Sequence, residues 1–336
     1  MTNSEKFSDW IILRTIQLQA VSTWILRDVI NRLEKLEAEI LTALAQSGLD
    51  GTQAGREQRA NMRDFKDGVD KLITAAFKEL ASRIEDDFDT LSAVEEKKQR
   101  EIFALWLAAP GAVNIAIGSN VNILGSSIRD TLGKQAGDLQ FRIEQAIQAG
   151  LDAGDDASKL RRRVKGWPGT GEQADAIAIT PATKQTERAL EQTIRTGVQE
   201  IADEVQTGLG SALPKTIRIG WQQISVLDSR TTQICRAYAF KTWDKDFNPT
   251  GAVKLPFNGG VPRHVNCRSR IVLYMLDDGP TPELTFKQWV DRLEPEKQKQ
   301  IFGDTRLKMW REGKLSDQDL IRQQWRAISP DELENL

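Results

Sequence analysis

The chain has 336 residues, of which 28% are charged and 40% hydrophobic, and its formal net charge is -2 at pH 7. This near-neutral balance excludes a global field that draws the chain to nucleic acid or to an anionic membrane, so any such contact requires a local patch. Two cysteines do not make a disulfide scaffold, and the start MTNSEKFSDW lacks the features of a signal peptide. We therefore expect synthesis in the cytosol.

The first half of the chain is predicted to be helical. One amphipathic helix is expected to begin near Ser8 or earlier and to stop at Ser47-Gly48. Its apolar positions recur at spacings of three, four and seven, at Leu26, Ile30, Leu33, Ile40 and Leu44. After a polar break at 49–62, a second apolar stripe from Phe65 to Ile84 predicts another helix, whose face must pack internally or on a partner subunit. The charged stretch EEKKQR at 95–100 is interpreted as solvated surface.

Residues 102–118 are nearly all apolar and approach the lower length limit of a membrane span. Pro110-Gly111 interrupts this run, which instead predicts a helix ending near Ala109 and a second buried stretch. We expect no stable membrane span. A membrane-active protein that uses this segment is the alternative.

A third helix is predicted at about 134–163, and it ends in a basic cluster. The cluster consists of Arg161, Arg162, Arg163 and Lys165. One interpretation is a patch that contacts DNA phosphates. The other is a solvated helix end, where the helix dipole favours cations.

The spacing of the apolar residues changes in the second half of the chain. A helix is predicted over 181–207, starting at Pro181, and TIRIGW at 216–221 alternates like a half-buried strand. RIVLYML at 270–276 is a second candidate strand. A loop-rich stretch between the strands carries both cysteines and the single histidine of the chain. The expected class is α+β: a mainly helical N-terminal region, a small mixed α/β module and a helical C-terminal tail.

Two segments of the module carry a resemblance. LDSRTTQICRAYAFKTW at 227–243 and PFNGGVPRHVNCRSRIVLY at 256–274 resemble the phage Mu F-like domain of minor head, or head morphogenesis, proteins. The matching positions are Asp228, Arg230, Thr231, Cys235, Pro262, His264, Asn266, Cys267, Arg268 and Ser269. The family often has Gly-Lys where this chain has Phe240-Lys241. The stretch 285–321 is similar to the helical tail that follows the domain in many members.

The resemblance covers about 217–321 and carries expectations about function. It implies a minor head protein of a virion, at the portal or inner capsid, that acts in head morphogenesis and genome packaging or ejection. The implied partners are the portal protein, the major capsid protein and packaged double-stranded DNA, and the N-terminal helices suit self-association. The expected division is a helical assembly region over 1–165, a Mu F-like domain over 175–280 and a helical tail over 281–336. Within the motif, Arg230 is expected to bind a carboxylate, Asp228 or another.

The residues leave several chemistries open for the cysteines and the histidine. Zinc fits Cys235, His264 and Cys267, with Asp228 as the fourth ligand that the motif offers, and zinc is the cofactor candidate. A Cys235–Cys267 disulfide is a second possibility. A Cys/His nucleophile is a third, and it corresponds to the alternative function of a hydrolase or toxin-like enzyme acting on nucleic acid or nucleotide. The fourth is a buried turn in which the cysteines act as small apolar groups.

Overall fold

A computed structural model describes residues 2–53, 55–107, 122–165, 182–225, 231–282, 284–316, 320 and 329–334. The α+β class is confirmed, because these residues are mainly helical and carry small antiparallel sheets. The helices are α1 (Asn3–Gln46), α2 (Arg56–Leu107), α3 (Ile128–Asp152), α4 (Ala157–Lys165), α5 (Ala182–Ala212), α6 (Gln233–Tyr238), α7 (Phe286–Arg292), α8 (Pro295–Phe302), α9 (Asp304–Arg311) and α10 (Pro330–Glu334). The strands are β1 (Asn122–Ile123), β2 (Ser126–Ser127), β3 (Ile219–Ile224), β4 (Thr242–Asp244), β5 (Pro249–Thr250) and β6 (Arg270–Met275).

The chain forms two compact units, each assembled from segments that are distant in sequence. The sheet unit comprises Met1–Trp24, Phe88–Ser119 and Arg195–Leu336. The helical unit comprises Ile25–Asp87 and Asn120–Ile194. The region 1–165 therefore contributes segments to both units.

The helical unit is held together by the apolar faces of α1, α2 and α3. Nine of the buried side chains are Val29, Leu36, Ile40, Ile73, Leu80, Ile84, Leu139, Ile143 and Ile147. Each such side chain contributes about 1.5–3 kcal/mol when it is removed from water. The predicted stripe on α2 is thus core of this unit. Exposed ion pairs such as Arg32–Glu79, at 3.0 Å, add about 0–1 kcal/mol each.

The prediction of one helix over 134–163 is wrong. The chain ends α3 at Asp152, turns through Gly154 at φ 72° and restarts as α4. The Asp155 N–H donates to the Gly150 carbonyl at 2.9 Å, which caps the end of α3. No large apolar residue lies between Leu151 and Leu160, and Gly154 followed by two aspartates is a turn signal, which the prediction overlooked.

The sheet unit is built on an antiparallel sheet of order β5-β4-β3-β6, in which Trp221 faces Leu273. The prediction of a half-buried strand is wrong, because β3 is buried on both faces. Helix α5 lies so close to one face that a Cβ on Gly210 would be 2.2 Å from Cη2 of Trp221. On the other face, the Gln222 amide donates to the Thr281 carbonyl at 3.0 Å.

The C-terminal helices are packed and form a second apolar core in the sheet unit. Its buried members are Ile16, Trp289, Val290, Phe302, Leu307, Trp310 and Leu320. Ile16 comes from α1, so the first helix is part of this core. Arg292 at the end of α7 also pairs with Asp9 of α1. Helices α7, α8, α9 and α10 confirm the predicted helical character of the C-terminal region.

The interpretation of 95–100 as solvated surface is wrong for Glu95 and Gln99, which are fully buried. Glu95 accepts from Nε of the buried Arg14 at 2.7 Å, and Gln99 donates to the Ala202 carbonyl at 3.2 Å. A second Arg14 nitrogen donates to the Leu333 carbonyl at 3.0 Å. Burial is tolerated because the carboxylate and guanidinium are paired.

The apolar segment 102–118 is described only in part. Helix α2 extends to Leu107, and the predicted end near Ala109 and the second buried stretch lie outside the described residues. Across the described parts of the chain, no helix has the length and apolar character needed to cross a membrane.

Candidate metal centre

Cys235, His264 and Cys267 come together in the sheet unit, and we call them the Cys/His cluster. Cys235 lies on α6, whereas His264 and Cys267 lie on the loop that leads into β6. The three donor atoms lie within 4.8 Å of one another. Cys235 Sγ is 3.1 Å from His264 Nε2 and 3.6 Å from Cys267 Sγ. The two cysteines are free thiols and are buried, while His264 is half-buried.

The short segment from His264 to Cys267 is a hydrogen-bonded turn. The Cys267 N–H donates to the His264 carbonyl at 3.1 Å, and Asn266 takes φ 58°. Asparagine tolerates this left-handed conformation better than most residues. The Asn266 N–H donates to Thr196 Oγ1 of α5 at 3.1 Å, so the turn is fixed to a helix of the same unit.

Helix α6 positions the other half of the cluster. Thr232 is its N-cap, and its hydroxyl accepts from the Cys235 N–H at 3.4 Å. The same hydroxyl is 2.9 Å from His264 Nε2. Thr232 therefore connects the start of α6 to the imidazole.

The surroundings of His264 determine which of its nitrogens carries the proton. Nδ1 is 2.8 Å from the Val265 carbonyl, which can only accept a hydrogen bond. In the neutral ring the proton is therefore on Nδ1, and the lone pair of Nε2 faces the sulfur of Cys235. In this tautomer the Nε2 lone pair accepts from the Thr232 hydroxyl, and it is the pair that a metal or a thiol proton would use.

The two thiols shift each other's pKa in opposite directions. Hydrogen bonding from Cys267 is the largest cause of the lowered pKa of Cys235, and Ser269 and Thr232 add to it. Hydrogen bonding to Cys235, followed by burial, raises the pKa of Cys267. Without a metal, the lowered pKa makes Cys235 the sulfur of the pair that ionises first.

A buried polar network lies directly behind the cluster. Ser269 Oγ is 2.8 Å from Ser225 Oγ, and the Ser269 carbonyl accepts from Gln199 of α5 at 3.1 Å. Asp203, also on α5, accepts from Arg270 Nε at 2.8 Å, and both side chains are 3% exposed. Burial raises the pKa of Asp203 to about 6, although Arg270 and Gln199 lower it. The network fixes the strand that follows the turn.

Arg263 covers the loop side of the cluster. Its guanidinium stacks on the Tyr238 ring at 3.6 Å and donates from Nε to Gln223 Oε1 at 2.8 Å. Burial lowers the pKa of Arg263, while Tyr238 and both cysteines raise it. The residue before it, Pro262, follows a cis peptide bond.

The structure describes some of the remaining motif residues and not others. Asp228 and Arg230 lie outside the described residues, so the expected fourth ligand and carboxylate anchor stay predictions. The Thr231 carbonyl accepts from Arg236 at 3.2 Å, and Arg268 is half-buried. Phe240 takes φ 59°, a conformation that favours the glycine often found there in the family that the motif resembles.

The predicted basic cluster forms the end of α4 in the helical unit. Arg161, Arg162 and Lys165 are exposed. Arg163 is half-buried and pairs with Asp155, the residue at the turn between α3 and α4. At least one of the four cations therefore has a structural role.

Gln199 and Asp203 are neighbours of the site that were not predicted from the sequence. They lie four residues apart on α5, on the side opposite the apolar residues Leu190, Ile194, Val198, Ile201 and Val205, and both are buried. The sequence carried no signal for them, because polar residues opposite an apolar stripe usually indicate a solvated face. Comparisons of the chain with protein-family models, curated proteins and solved structures find no match.

Proposed function

We propose that the chain is a bacteriophage minor head protein that acts in head morphogenesis and in genome packaging or ejection. The proposal starts from the motif residues at 227–243 and 256–274, which resemble the Mu F-like domain. One observation of the structure carries it further: cysteines 32 residues apart, one in each half of the motif, meet with the histidine in one cluster. Because both halves of the motif contribute residues to one site, we interpret the motif as a single functional unit.

The proposed location is the virion, at the portal vertex or the inner capsid, after synthesis in the host cytoplasm. The proposed partners are the portal protein, the major capsid protein and packaged double-stranded DNA. The stripe on α2 is buried within the helical unit, so contacts with other subunits must use other surfaces.

Mass spectrometry of purified particles tests this function. Particles produced from the genome that encodes the chain should contain it at a constant ratio to the major capsid protein after density-gradient purification. A parallel deletion of its gene should reduce the yield of filled, infectious heads. Absence of the chain from the particles, with abundant chain in the lysate, would overturn the proposal.

A second candidate is a Cys/His-dependent hydrolase or toxin-like enzyme acting on nucleic acid or nucleotide. The contact of 3.1 Å between Cys235 and the unprotonated nitrogen of His264 favours it, because a thiol and its base need this geometry. Against it, Cys235 is only 2% exposed, and Cys267 lies against its sulfur. If this candidate is correct, the chain hydrolyses nucleic acid or nucleotides, and Cys235→Ser abolishes the activity in a folded protein.

A further inference from the structure

We propose that Cys235, His264 and Cys267 bind one zinc ion, which holds α6 to the turn that precedes β6. The chain contains two cysteines and one histidine, and all three form this cluster. Thiolate and imidazole are the ligands that zinc prefers in structural sites. The convergence uses every cysteine and histidine that the sequence offers.

The spacing of the donors fits a tetrahedral ion. With bonds of about 2.3 Å to sulfur and about 2.0 Å to nitrogen, two sulfurs are about 3.8 Å apart, and sulfur and nitrogen about 3.5 Å apart. The observed distances are 3.6 Å between the sulfurs and 3.1 Å from Cys235 Sγ to His264 Nε2. A disulfide requires about 2.0 Å between the sulfurs. Two of the three donor separations are therefore within about 0.4 Å of those of a zinc site, and the sulfurs are too far apart for a disulfide. The third pair, Cys267 Sγ and His264 Nε2, lies within the 4.8 Å that bounds the cluster and would draw together on metal binding.

The histidine is oriented as a metal ligand. Zinc-bound histidines usually donate their second ring N–H to a carbonyl or carboxylate, which fixes the ring and its tautomer. Here Nδ1 donates to the Val265 carbonyl at 2.8 Å, and Nε2 faces Cys235. The ring is thus held with its lone pair towards the sulfur by a bond that does not involve either thiol.

The ligands are also positioned by elements outside the cluster. The turn carrying His264 and Cys267 is fixed to α5 through Asn266 and Thr196, and Thr232 caps the helix that carries Cys235. Such independent support reduces the cost of assembling the site on metal binding. The ion would close a loop of about 30 residues, which restricts the unfolded chain and stabilises the fold.

The test uses the untagged full-length chain purified under reducing conditions. Elemental analysis should find about one zinc per chain, and exchange for cobalt should give the absorption of a tetrahedral thiolate site. His264→Asn, Cys235→Ser and Cys267→Ser should each lose the metal. Val265→Ala is the matched control, because Val265 lies in the same turn with an exposed side chain and contacts His264 through its carbonyl, and this variant should keep one equivalent.

A measurement on the wild-type chain covers the case in which the ligand variants fail to fold. Both thiols should be protected from a thiol reagent in the zinc-loaded protein and should become reactive after chelation, with a lower midpoint of thermal unfolding. The zinc proposal fails if the wild-type chain binds neither zinc nor cobalt, or if its cysteines form a disulfide under reducing conditions. These measurements use the isolated chain, so they are independent of the particle test of the proposed function.

Discussion

The Cys/His cluster and the basic cluster on α4 differ in whether residues that act together in the structure are also neighbours in the sequence. The basic cluster is contiguous in sequence, yet one of its cations is taken up by an ion pair that stabilises a turn. The Cys/His cluster is dispersed over 32 residues, yet its donor atoms converge within 4.8 Å. A run of one common residue type is therefore weak grounds for a site. The convergence of scarce residue types is stronger grounds.

The largest expected effect comes from the network behind the Cys/His cluster. Asp203→Asn leaves the buried Arg270 without its carboxylate partner, so the free energy of unfolding should fall by about 3–5 kcal/mol. Chemical denaturation of the full chain measures this decrease. Asp155→Asn is the control in the region of α4, where the pair with Arg163 is less buried, and it should cost about 1 kcal/mol. Equal decreases in the two variants would contradict the difference that we draw between the regions.

The helices and the two main strands could largely be predicted from the sequence, because apolar periodicity reflects burial directly. The α+β class and helix α1 follow from such periods, whereas β6 at Arg270–Met275 was predicted from the apolar run RIVLYML. The break at Gly154 was missed because the apolar stripes of α3 and α4 were interpreted as one helix, although GDD at 154–156 is a turn signal. The burial of both faces of β3 also depends on α5 and on the loop at Thr281, and local sequence does not specify these contacts.

The site was partly predictable for a different reason. The residue types of the Cys/His cluster indicated soft-ligand chemistry. The distances between the donor atoms, which distinguish a zinc site from a disulfide, are known only from the folded structure. The buried partners Glu95 and Asp203 were missed because charge in a helical sequence usually indicates solvent. Their arginine partners, Arg14 and Arg270, are 81 and 67 residues away in sequence.

Substitutions in the basic cluster should have smaller effects on stability, and these effects should differ among its members. Arg163→Ser should lower the free energy of unfolding by about 1–2 kcal/mol, because Asp155 loses its charged partner. The double variant Arg161→Ser/Lys165→Ser should change stability by less than about 0.5 kcal/mol. If the patch contacts DNA, that double variant should reduce the slope of log K against log salt by about 0.9 for each phosphate that is no longer neutralised. An unchanged salt slope would leave the cluster as a solvated helix end.

The smallest effect concerns the position where the motif departs from the family that it resembles. Phe240 has φ 59°, and its backbone is held there because its N–H donates to the Gln223 carbonyl at 2.7 Å. A residue with a Cβ is destabilised by about 1 kcal/mol in this conformation, whereas glycine is not. Phe240→Gly and Phe240→Ala both remove the half-buried ring, so their difference isolates the backbone contribution. We expect the glycine variant to be more stable than the alanine variant by about 1 kcal/mol in thermal or chemical unfolding. An alanine variant of equal or greater stability would show that the turn after α6 does not require the left-handed conformation, and it would weaken the resemblance at this position.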